Sequence, residues 1–212
     1  MRITANWLGR IGQPRAEFGV EVAGAGDVDG DGFDDVIVGA YLWDGNESAE
    51  GAAFVYRGGS SGVESAPLWR GESNLVGWHF GRAVRGAGDV NGDGFADIIV
   101  GGPTFADSPD DGDFRPKAYV YLGSPTGPSA TPDWEVQSPQ LGDRFGRAVG
   151  TAGDVNGDGF DDVVVSAYFH DSPLDPAHID AGGLAVYLGS ATGLSTHHDW
   201  FVVSDDAGAG LG

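Results

Sequence analysis

Three stretches of the chain are nearly the same sentence: FGVEVAGAGDVDGDGFDDVIVGA at Phe18–Ala40, FGRAVRGAGDVNGDGFADIIVGG at Phe80–Gly102 and FGRAVGTAGDVNGDGFDDVVVSA at Phe145–Ala167. They open at positions 18, 80 and 145, so one unit of 62 to 65 residues is repeated. A second landmark keeps the same step, because Trp7, Trp69, Trp134 and Trp200 each fall about eleven residues before a unit opens. A period of this length marks a repeat architecture, in which each unit buries its apolar face against the next.

Each unit reads as four short strands. The first is Gly/Ala-rich, at 18–25, 80–87 and 145–152. The second is the unbroken β-branched run Val36-Ile37-Val38, Ile98-Ile99-Val100 or Val163-Val164-Val165, the pattern of a strand buried on both faces. The third is centred on Phe54-Val55-Tyr56, Tyr119-Val120-Tyr121 and Ala185-Val186-Tyr187. Gly-Ser and Thr-Gly or Ser-Gly turns follow it and lead to the strand that carries the repeating Trp. Four-stranded sheets buried on both faces must stack face to face, as blades do in a propeller. A β-sandwich, the competing all-β architecture, predicts no such period. The expected fold is therefore all-β, a propeller-like array of four-stranded antiparallel blades. The divisions are a leading outer strand of a preceding blade in residues 1–17, then repeats at 18–79, 80–144 and 145–212. A fourth boundary falls at Leu211-Gly212. The start is not a signal peptide, and it reads as a start codon placed on a fragment. Three units are too few to close a ring alone, so a fragment, an oligomeric ring and an open spiral all remain. The leading Trp7 strand is expected to pair with a neighbouring chain or to pack irregularly.

The middle of each unit carries chemistry. Asp27-Val28-Asp29-Gly30-Asp31-Gly32-Phe33-Asp34-Asp35 has carboxylates at loop positions 1, 3, 5 and 9, and the other copies place Asp89, Asn91, Asp93, Asp97 and Asp154, Asn156, Asp158, Asp162 there. With the position-7 carbonyl of Phe33, Phe95 or Phe160, each loop offers an all-oxygen shell for a hard cation, and a flexible loop suits Ca²⁺ over octahedral Mg²⁺. An EF-hand shares the first half of the pattern but needs Glu at position 12, where Val38, Val100 and Val165 stand. Three Ca²⁺ sites are expected, one per repeat. The first loop, with four Asp against three plus Asn, is expected to bind most tightly.

Charge agrees with this reading. The 212 residues hold 32 Asp+Glu against 11 Lys+Arg, a net charge of −21, which repels nucleic acid and anionic membranes and attracts cations. Cysteine is absent, which excludes disulfides and thiolate metal sites. No apolar run is long enough to span a membrane. The five His (79, 170, 178, 197 and 198) form no HExxH, and neither a Ser/His/Asp ordering nor a phosphate loop is present, so no enzyme is expected.

The passage FG…AGDVNGDG…D…VGA followed by VYLGS closely resembles the FG-GAP repeat, the blade of the integrin α-subunit propeller and of bacterial relatives. The resemblance covers nearly the whole chain, although the GAP end has drifted to Gly39-Ala40-Tyr41, Gly101-Gly102-Pro103 and Ser166-Ala167-Tyr168. It implies a calcium-binding, non-enzymatic scaffold for adhesion or protein interaction, extracellular or at the cell surface, with a protein partner or self-association. A carbohydrate-binding or accessory module of a secreted hydrolase is the alternative, and a purely structural array a third. The variable loops between strands two and three, with Trp43, Asp110-Asp111-Gly112-Asp113, His170 and His178, lie at the blade end opposite the Asp loops and are candidates for partner contact.

Overall fold

The computed structural model describes residues 7–103, 115–138, 140, 142–171, 180–206 and 208–211; Asp110–Asp113 and His178 lie outside them. Among the described residues twelve strands form three antiparallel sheets, each a meander in chain order. The first blade is β1 (Val22–Gly26), β2 (Asp35–Ala40), β3 (Ala52–Tyr56) and β4 (Pro67–Glu72). The second is β5 (Ala83–Gly88), β6 (Asp97–Gly102), β7 (Lys117–Tyr121) and β8 (Trp134–Gln137). The third is β9 (Phe145–Gly153), β10 (Asp162–Ala167), β11 (Gly183–Tyr187) and β12 (Trp200–Val203). No helix and no closed sheet occurs among the described residues, so the arrangement is an open set of propeller-like blades.

The apolar runs sit where their composition predicts. β2, β6 and β10 are buried along almost their whole length. Their alternate residues feed different cores: Ile37 packs between blades one and two, and Val38 on the outer face of blade one. Ile99 and Val163 share the core between blades two and three. The small residues of the first strands have a steric cause. A Cβ on Gly86 of β5 would lie 3.1 Å from the Gly24 carbonyl of β1, so the inner strands approach almost backbone to backbone. Gly39 and Gly101 are tighter still, their missing Cβ falling 2.0 Å from Gly81 O and 1.9 Å from Gly146 O of the next blade. Ser166 holds the third such place, and its Oγ accepts from Ala148 N–H.

The repeating Trp joins the blades. Trp69 of β4 lies edge-on to Tyr121 of the next blade (4.9 Å), and its Nε1–H donates to Ser129 O. Trp134 of β8 repeats this with Tyr187 (5.0 Å) and Ser195 O. Trp7 does the same to blade one, with Tyr56 (5.0 Å) and Glu64 O, although residues 7–11 form no strand. Trp7 thus packs on blade one of its own chain. Trp200, over which no described blade lies, is 54% exposed.

The first strand starts later than its composition predicts in two blades, at Val22 and Ala83 instead of 18 and 80. Gly19, Gly81 and Gly146 all adopt positive φ (87°, 81° and 75°), and only in the third blade does the chain pair again before that glycine, Phe145 with Ala167 across a register shift.

Candidate metal centre

Each Asp loop joins the first strand of a blade to the second and is built around its first carboxylate. Asp27 Oδ1 accepts from Gly30 N–H and Asp31 N–H, and its Oδ2 from Gly32 N–H. Asp89 and Asp154 hold the equivalent three amides at 2.7–3.1 Å. These backbone bonds draw the Asp154 carboxyl below its ordinary value, that from Gly159 most. Position 3 (Asp29, Asn91, Asn156) accepts from the position-5 N–H, and position 5 (Asp31, Asp93, Asp158) from the N–H of Phe33, Phe95 or Phe160. The glycines at positions 4 and 6 all adopt positive φ, the conformation that folds the backbone round a centre.

Position 9 has a second role that the spacing does not show. Asp35, Asp97 and Asp162 are fully buried. Each takes one N–H from its own loop (Val28, Val90, Val155) and one from the hairpin after the third strand (Gly58, Gly123, Gly189). One carboxylate therefore fastens loop to hairpin at that end of the blade. Burial pushes the Asp97 carboxyl up to about 7 against the opposing pull of those two donors, and raises Asp35 for the same reason.

Consecutive loops also touch. Ala96 N–H donates to Asp27 O and Ser124 N–H to Val28 O, and the next pair of blades repeats both bonds through Asp161 and Ser190. The Phe95 ring covers Gly30 and the Phe160 ring covers Gly92, so closely that a Cβ there would sit 2.6 and 2.7 Å away.

The carboxylates of Asp27, Asp29 and Asp35 bring oxygens within 4.8 Å of one another. In this first loop the Arg57 guanidinium bonds to Asp29 and lies 3.8 Å from Asp31, a protein cation standing where the acidic cluster faces inward. Leu122 and Leu188 occupy the position of Arg57 in the other repeats, where position 3 is Asn and its Nδ2–H donates to Asp93 or Asp158. The extra carboxylate and the Arg cancel, so all three loops carry the same net charge from these positions. Sequence reasoning missed Arg57; the signal was an Arg after Tyr56 where Leu follows Tyr121 and Tyr187, in the one repeat with Asp at position 3.

Three further residue groups are settled by geometry. Trp43 is packed edge-on to Phe54 (5.6 Å) instead of reaching into solvent. Arg82 and Arg147 stack over Tyr41 and Tyr168 at 5.4 and 4.9 Å. His197 and His198 are exposed.

The family profile described as FG-GAP repeat matches residues 18–56, 80–114 and 145–187. The chain belongs to the FG-GAP repeat family. This FG-GAP protein is 36% identical over 167 residues to integrin alpha-PS2 of Drosophila melanogaster, a match covering 73% of the chain and 12% of that relative. It is 31% identical over 161 residues to integrin alpha-4 of Xenopus laevis (74% and 15%) and 34% identical over 155 residues to human integrin alpha-7 (71% and 12%). The FG-GAP chain thus spans only a small fraction of the length of these curated relatives. No helix among its described residues is long and apolar enough to cross a membrane.

Proposed function

We propose that this FG-GAP chain is a calcium-stabilised, non-enzymatic scaffold for adhesion or protein interaction, acting outside the cell or at its surface as an integrin-alpha-like module. The observation that carries the calcium reading is the threefold loop. Side-chain oxygens at positions 1, 3 and 5 and a buried carboxylate at position 9 recur with the same internal hydrogen bonds in every blade. The donor set fits a hard cation, being all oxygen and mostly carboxylate. The Arg57 guanidinium on Asp29 and Asp31 is a stand-in for positive charge at the first loop. The holding residues are Asp27, Asp29, Asp31, Asp35 and the Phe33 carbonyl; Asp89, Asn91, Asp93, Asp97 and the Phe95 carbonyl; and Asp154, Asn156, Asp158, Asp162 and the Phe160 carbonyl. A bound Ca²⁺ supplies charge neutralisation, and through Asp35, Asp97 and Asp162 it ties that neutralisation to the hairpin end of each blade.

Arg57 reverses the affinity order expected from composition. It competes with the ion for Asp29, so the second and third loops fill before the first. The adhesion reading rests on the kinship with integrin alpha chains and on the net charge of −21, with sequences that differ among the repeats between the second and third strands.

The test is a calcium titration of chelated protein with a parallel thermal melt. A site at 100 times its Kd contributes about 2.7 kcal/mol, and in a domain of this size each kcal/mol moves Tm by about 2–4 °C. Chelation from two filled sites should therefore lower Tm by roughly 10–20 °C, restored by Ca²⁺ and poorly by Mg²⁺. An unchanged melt removes the calcium reading.

A further inference from the structure

The blades differ most at the end away from the Asp loops, and three equivalent positions there carry the difference. Two residues before each Phe-Gly pair stand Ala16, Trp78 and Asp143, all buried. On the third strand, Phe54, Tyr119 and Ala185 occupy one register position, opposite Arg70, Glu135 and Phe201 of the fourth strand. After the second strand, Trp43 and His170 are equivalent. The N–H of each donates to the last strand residue, Ala40 or Ala167, and the carbonyl of each accepts from Gly51 or Gly182.

In blade one the Trp43 indole packs on Phe54, and in blade two Trp78 Nε1–H donates to the Tyr119 hydroxyl at 2.9 Å, so rings stand at these positions, and the larger cavity beside Tyr119 is lined by Arg70, Lys117 and Glu135. In blade three Ala185 supplies no ring, and a cavity of about 320 Å³ opens, within the range of small-ligand sites. Its walls are Phe145, Tyr187, His198 and Phe201, with His170 and His198 packed on the Phe201 ring at 5.0 and 5.1 Å. At one end lies Asp143, fully buried, its Oδ1 accepting from Phe145 N–H and its Oδ2 from the Ser138 hydroxyl. His170 Nδ1 is 3.6 Å from that Oδ2, buried, and has no hydrogen-bond partner. A carboxylate held by neutral donors beside an unsatisfied ring nitrogen lacks a charged donor between them. Aromatic faces around such an end suit a cation with an apolar stem, and the charge of −21 draws cations toward the surface.

We infer that this pocket of the third blade binds an organic cation, an alkylammonium or alkylguanidinium, presented by a free small amine or by a basic side chain of a protein partner. The site is separate from the Asp loops, since β10 runs from Asp162 at the loop to Ala167 at the cavity. It stands whether or not the loops bind calcium.

The test is an amide chemical-shift titration of the ¹⁵N-labelled chain with n-butylammonium, n-butylguanidinium, the neutral and one-carbon-longer alcohol 1-pentanol, and a lysine-containing peptide. Calcium is kept in excess and salt at about 0.15 M to screen surface attraction. The cations are expected to shift Ala185 and Phe201 with Kd on the order of 1 mM, which about five to eight heavy atoms can deliver. Pentanol should bind at least roughly tenfold more weakly, the ratio that 1.4 kcal/mol of charge recognition sets. Ala185→Tyr, which restores the ring of blade two, should abolish binding without lowering Tm. Asp143→Asn should weaken the cations and leave pentanol unchanged; if it does not fold, Ala185→Tyr decides alone. Response to the peptide as well as the amines assigns the site to a basic side chain, and response to the amines alone to a small ligand. Equal affinity for pentanol and butylammonium, binding that survives Ala185→Tyr, or no shift at these residues overturns the inference.

Discussion

Trp134 and Trp200 occupy the same place in consecutive blades, yet one is 7% exposed under the next blade and the other 54% exposed. Replacing each with Ala measures what a blade joint contributes. A buried Trp covers about 200 Å², so the difference of roughly half a side chain is about 100 Å², or about 2.5 kcal/mol at 25 cal/mol per Å². Trp134 also donates to Ser195 O, a hydrogen bond with a net contribution of about 1 kcal/mol. Trp134→Ala should therefore destabilise by about 3–5 kcal/mol, the usual loss for a buried Trp, and Trp200→Ala by about 3 kcal/mol less. In Tm the gap is roughly 6–12 °C, read by circular dichroism on dilute protein in excess calcium. Losses that agree within about 1 kcal/mol would refute the view that the Trp acts by locking one blade to the next.

Three other outcomes follow from the same geometry. Arg57→Leu, which copies Leu122 and Leu188, should raise calcium affinity at the first loop by roughly fivefold or more, the low end of coupling between linked binding events; terbium luminescence titrations of the variant and the wild type compare them, and an unchanged first site contradicts the competition. In ion-free protein the Asp97 carboxyl near 7 lies above its ordinary 3.8, so the folded chain keeps a proton that the unfolded chain has released between those values. Its contribution is fully present below about pH 4 and is lost as pH rises through about 7; urea midpoints with chelator, taken as the difference from Asp97→Asn, should fall over that range, and excess calcium should oppose the fall. Gly101→Ala places a Cβ 1.9 Å from a backbone oxygen of the next blade and should cost about 3 kcal/mol, the upper range of overpacking, whereas Gly150→Ala meets nothing within 4 Å and should stay within about 0.5 kcal/mol by chemical denaturation.

The four strands of each blade were legible because their signals are local: a β-branched run between glycines leaves few alternatives. The Asp loops were legible for the same reason, their spacing being contained in nine residues. The remainder depends on meetings between distant parts of the chain. Asp35, Asp97 and Asp162 reach a hairpin more than twenty residues away, and nothing near them in sequence announces it. Arg57 reaches back 28 residues to Asp29, so counting carboxylates overstated the charge of the first loop. The extended reading of residues 18–21 failed at Gly19, whose positive φ looks in sequence like any other glycine of a small-residue strand. The third-blade cavity is visible only when Ala185 is aligned with Phe54 and Tyr119, since alanine in a strand is otherwise unremarkable.

The backbone bonds between successive loops have a mechanical consequence. Ala96 and Ser124 grip the first loop, Asp161 and Ser190 grip the second, and among the described residues no backbone hydrogen bond joins the first loop directly to the third. Force or heat applied to this molecule is therefore shared only between adjacent neighbours, and rupture should advance stepwise from an end, each released blade leaving the one behind it still shut.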